Sequence, residues 1–129
     1  MTLEEALTTI INNGIAGAKA DYTRPDQKSK LEGSIEGFEA CRGKDVAGMI
    51  ELLTETRRKA QEAFRRVHEN EISDDEYWKI RCFESEVEWT ANCLSAILVN
   101  EGHDPIVPPT ARAAINVARI IGVKDEFQP

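Results

Sequence analysis

Aromatic residues make up 6% of this chain of 129 residues, with two histidines and three cysteines. Cys41, Cys82 and Cys93 form no C-x-x-C pair and leave an odd thiol, which argues against a disulfide scaffold or a zinc ribbon. They read as small core residues in a reducing cytoplasm. Cys82 and Cys93 belong to one helical run, about 16 Å apart along its axis, too far for a bond. His68 and His103 stand outside any H-E-x-x-H spacing, so zinc has no support, and there is no glycine-rich phosphate loop and no G-x-S-x-G. No metal or other cofactor is expected. The longest uncharged apolar stretch, Leu94 to Val99, is far short of a membrane span, and MTLEEALTT lacks the basic start and apolar run of a secretory signal. Basic residues are outnumbered 16 to 23, giving a net charge of −7, which argues against a general nucleic-acid binder. The same charge suits contact with a basic protein surface.

What remains is helical. The chain is long enough for one ordinary domain with a sizeable core, and neither repeats nor alternating strand patterns appear. The expected fold is all-α: one helical-bundle domain over 1–129, with four main helices and a short C-terminal fifth. Thr2 and Glu5 form a capping box before a first helix with Leu3, Ala6, Leu7, Ile10, Ile11 and Ile15 on one side, running past Gly14 and Gly17 to about Ala20. After Arg24-Pro25 a second helix carries Leu31, Ile35, Phe38 and Cys41 inward. Gly33 and Gly37 on it imply a close approach, most simply by another helix backbone. Asp45 caps a third helix. Its apolar seam is Val46, Ile50, Leu53, position 57, Ala60, Phe64 and Val67, the four–three alternation of near-parallel or antiparallel packing. Thr110 caps a final helix from Ala111 to Ile121, and the tail from Lys124 is expected to fray.

Residues 73–101 are the centre of this reading. Ser73 and Glu76 form an S-x-x-E box, and Gly102 is a natural stop. At about 100° per residue, Ile80, Phe83, Val87, Ala91, Leu94 and Leu98 share one face, while Trp78, Cys82, Ser85, Trp89, Cys93 and Ala96 form a second stripe roughly opposite. A helix apolar on two sides is covered on two sides, by its own bundle or by a partner chain. Tryptophan is enriched at interface hot spots, so the second stripe is the candidate interface, most simply in a homo-oligomer. Its alternative is a second side of the core, closed by the final helix.

Two further constellations carry candidate chemistry. Arg57 occupies a core-type position on the third helix and needs a carboxylate; Glu84 or Glu88 would complete a buried, register-fixing ion pair. Glu32, Glu36 and Glu39 share one side of the second helix, and Glu84 and Glu88 one side of the central helix, so facing carboxylates could hold Mg²⁺ or Mn²⁺. Glu36-x-x-Glu39 is similar to the E-x-x-E helix of the all-α nucleotide pyrophosphohydrolases, a likeness of two residues. The E-x-x-D that such a site needs on a following helix is met only by Glu71-x-x-Asp74, across a predicted helix break. The function expected is therefore non-catalytic: a self-associating helical protein working through protein contacts, as an accessory or inhibitor protein of a phage or mobile element would. A metal-dependent nucleotide hydrolase or small-molecule binder is the alternative.

Overall fold

A computed structural model describes residues 1–121. Five α-helices, α1 (Leu3–Asp21), α2 (Lys28–Cys41), α3 (Val46–His68), α4 (Asp74–Asn100) and α5 (Ala111–Ile121), form an all-α bundle, with a 3₁₀ turn at Pro25–Gln27 before α2 and no strand among the described residues. The expected tail beyond Lys124 lies outside them.

The helix starts follow from their caps. Thr2 and Glu5 make the reciprocal capping box, Asp45 accepts from the Gly48 amide at 2.7 Å, and Thr110 accepts from Ala113. Ser73 caps Glu76, but Glu76 does not return the bond, so only half of the expected box forms. Gly102, at φ +80°, ends α4 in the left-handed conformation that glycine adopts without strain.

α4 is the axis of the bundle and packs against all four other helices. Its Val87, Ala91, Leu94 and Leu98 join Leu7 and Ile11 of α1, Phe38 and Cys41 of α2, and Met49 and Leu53 of α3 in the main core. α2 and α4 meet backbone to backbone. A Cβ at Gly33 would sit 2.2 Å from the Lys79 carbonyl oxygen, and one at Gly37 would sit 2.6 Å from that of Phe83. This glycine face, with Ser34, Phe38 and Cys41, is what α2 buries; Leu31 and Ile35 are only half-buried at its edges. Gly14 has a matching role, since the Phe38 ring occupies the space its side chain would need.

α3 corrects the expected seam. Val46, Leu53, Ala60 and Val67 repeat every seven residues, and the half-step can be completed either four residues on, by Ile50, Arg57 and Phe64, or three on, by Met49, Thr56 and Ala63. The bundle buries Met49, Leu53, Thr56, Ala60 and Ala63. Ile50 and Phe64 remain 48% and 55% exposed. Choosing the smaller set keeps the Arg57 guanidinium out of the core, where its desolvation would be costly.

Candidate functional site

The second stripe of α4 is divided along its length. Cys93 and Ala96 are buried within the monomer, packed with Ala6 and Ile10 of α1 and with Ala113, Ala114 and Val117 of α5. As interface residues they are therefore corrected: α5 already covers them. Trp78 stays 45% exposed, with Tyr77 edge-on at 5.4 Å and the Lys30 ammonium 4.8 Å from its ring centre. Ser85 is exposed, and Cys82 and Trp89 are half-buried.

The cover is tied down by polar groups the apolar pattern does not show. Ser95 accepts from the amides of Ile106 and Val107 at 3.0 and 3.1 Å, and Asn92 accepts from that of Thr110 at 3.2 Å. The segment 103–110, with prolines at 105, 108 and 109, is thus fastened to α4, and α5 is delivered onto Cys93 and Ala96. Burial pushes the thiols of Cys41 and Cys93 up to about 11 and raises that of Cys82, as inert cysteines require.

Arg57 does meet Glu88, through Nε at 2.5 Å and Nη2 at 2.9 Å, so α3 and α4 are bridged by a two-point contact. The pair is not buried, however: its side chains are 48% and 30% exposed. Glu84 turns instead to Arg81, with burial raising its carboxyl.

The carboxylates proposed for metal are not assembled. Lys79 bridges Glu32 and Glu36, Arg42 grips Glu39, and Glu84 and Glu88 are engaged as above. Glu71 lies in the α3–α4 turn against Arg65 and Arg66, whereas Asp74 opens α4. No cluster of three or more metal-capable side chains occurs among the described residues. The physical reason is charge: each acidic edge meets a basic neighbour, and neutralisation by Lys or Arg replaces the divalent ion.

What the sequence pattern missed is a cleft of about 450 Å³ where α1, α4 and α5 converge beside Phe38. Asn13, Gly17, Asp21 and Tyr22 form one wall, Ser85, Glu86 and Trp89 the floor, and Arg112 and Asn116 the other wall. The Arg112 guanidinium lies 6.0 Å from the Trp89 ring centre. Burial, with a smaller push from Asp21, raises the Glu86 carboxyl to about 7. In the sequence Glu86 is merely a charge between two apolar stripes. The one available signal was the glycine pair on α1, of which Gly17 faces open space.

No family model, curated protein or solved structure matches the chain.

Proposed function

We propose that the protein is a non-catalytic interaction protein that pairs with a second copy of itself through α3. One observation carries this reading: Ile50 and Phe64, both about half exposed, stand seven residues on either side of Arg57 along one face of α3. A two-fold axis at Arg57 lays Ile50 of one copy against Phe64 of the other, as an isologous contact requires. It also brings Glu51 within about two residues, roughly 3 Å of helix rise, of Arg65 on the other copy. Each Arg57 arrives already neutralised by its own Glu88, so the two guanidiniums meet as ion pairs rather than as bare charges.

This moves the expected self-association from the tryptophan stripe of α4 to α3. The acidic surface and the unassembled carboxylates favour contact over catalysis. A reducing cytoplasm suits three free thiols. The role of an accessory or inhibitor protein of a phage or mobile element fits a small acidic bundle that works by binding.

Light scattering on Phe64→Glu tests the reading. The expected result is a folded monomer where the wild type is a dimer, because an exposed position accepts the charge in the monomer but not at the two-fold contact. A monomeric wild type, or a dimer that survives both Phe64→Glu and Ile50→Glu, overturns it. Loss of the dimer in Trp78→Glu alone assigns the contact to α4 instead.

A further inference from the structure

We propose that the α1–α4–α5 cleft is a binding site for a free amino acid with an apolar side chain, its ammonium group held by Glu86 and Asp21 and its carboxylate by Arg112. The cleft falls in the size range of small-molecule pockets. Its charges are of both signs: the carboxylates of Asp21 on α1 and Glu86 on α4, and the guanidinium of Arg112 on α5. None of Glu86, Asp21 and Arg112 has an ion-pair partner among the described residues, whereas Glu32, Glu36, Glu39, Glu84 and Glu88 on α2 and α4 do. A polyamine would leave Arg112 opposed, and a simple anion would leave the two carboxylates unrelieved. A zwitterion answers both.

The lining fits the rest of such a molecule. The half-buried Trp89 ring gives it an apolar surface, with Ile10 and Phe38 buried behind, and Asn13, Tyr22 and Asn116 add neutral hydrogen-bonding groups. Arg112 is steadied by the Trp89 ring, which leaves its N–H groups free to grip a carboxylate in two-point fashion. The site is independent of the α3 contact, since no α3 residue lines it.

The pH dependence has a fixed sign. The charged or titratable groups around Glu86 are Asp21 on α1, Tyr22 just past its end, Cys41 on α2, Cys82 on α4 itself and Arg112 on α5. Burial holds the Glu86 carboxyl near 7 and raises the two thiols and the tyrosine. Near neutrality, therefore, Glu86 is the group that changes charge. Ammonium binding needs its ionised form, so affinity rises as pH rises through about 7.

Calorimetric titration of the full chain with phenylalanine and leucine tests the site, with phenethylamine and 3-phenylpropionate as half-probes. Saturable binding of at least one amino acid is expected, about tenfold tighter for phenylalanine than for either half-probe, the worth of one charge-assisted contact. Glu86→Gln should weaken phenylalanine and phenethylamine about tenfold, and Arg112→Gln should weaken phenylalanine by a similar factor while leaving phenethylamine unchanged. Should a variant fail to fold, wild type still decides: the NMR titration midpoint of Glu86 should fall when phenylalanine is bound. No binding of either amino acid, equal binding of phenylalanine and phenethylamine, or an unmoved Glu86 midpoint overturns the proposal.

Discussion

From Trp78 to Trp89 the second face of α4 looks onto solvent and a polar cleft, while from Cys93 to Ile97 that face is sealed beneath α1 and α5. The two halves are held by different means. The first half is gripped by α2 at Gly33 and Gly37, where the nearest atoms are the backbone of Lys79 and Phe83. The second half is wrapped in small and branched side chains and fastened by Ser95 and Asn92 to the segment that carries α5. A backbone contact fixes position with little side-chain area, so it leaves neighbouring side chains available. A side-chain contact consumes the face it covers. That difference explains why the open cleft lies midway along α4 and the sealed part of this face toward its C-terminal end.

The backbone grip is where the comparison breaks hardest. Gly33→Ala places a methyl carbon 2.2 Å from the Lys79 carbonyl oxygen, a neighbour that cannot swing aside. The expected loss is about 3 kcal/mol, despite alanine's better helix propensity, because α2 and α4 must separate. Gly17→Ala is the matched control: nothing lies within 4 Å of its Cβ, so it should stabilise by up to about 1 kcal/mol. Urea denaturation of the two variants measures both signs. Equal responses would mean that the glycines of α2 are not a packing requirement.

The tether comes next. Ser95→Ala leaves the Ile106 and Val107 amides without their acceptor in a part-buried position, at an expected cost of about 2 kcal/mol. Its second readout is chemical. Cys93 lies beneath α5, so its thiol should react faster with a disulfide reagent in the variant, while half-buried Cys82 changes little. An unchanged Cys93 rate would show that apolar packing alone holds α5 in place.

Much of this was legible in residue order because it is local. Thr2, Asp45 and Thr110 cap where their side chains sit next to apolar runs, and Gly33 and Gly37 declared a close approach before its partner was known. The α3 seam was not, because a seven-residue repeat fixes four positions and leaves the half-step open. Size and charge at 56, 57, 63 and 64 settled it in three dimensions. Ser95 and Asn92 were hidden for another reason: they read as small members of an apolar stretch, and their partners lie in a segment with no periodicity. Glu86 was visible only as a charge between stripes, since its environment is assembled from α1, α2 and α5, all distant in sequence.

The smallest effect sharpens the comparison from the other side. Glu88→Gln removes the carboxylate that bridges α4 to Arg57 across the open half of the helix. Two-point geometry favours the pair, but both partners are substantially wetted, and Arg57 regains water when released. Exposed ion pairs of this kind contribute under about 1 kcal/mol, so the variant should unfold within that margin of wild type, with the gap narrowing in high salt. A loss as large as that of Gly33→Ala would place the organising contact of this half in the ion pair. A small, salt-sensitive loss leaves the glycine contact as what holds α4 in position there, with Arg57–Glu88 at most selecting the α3 register.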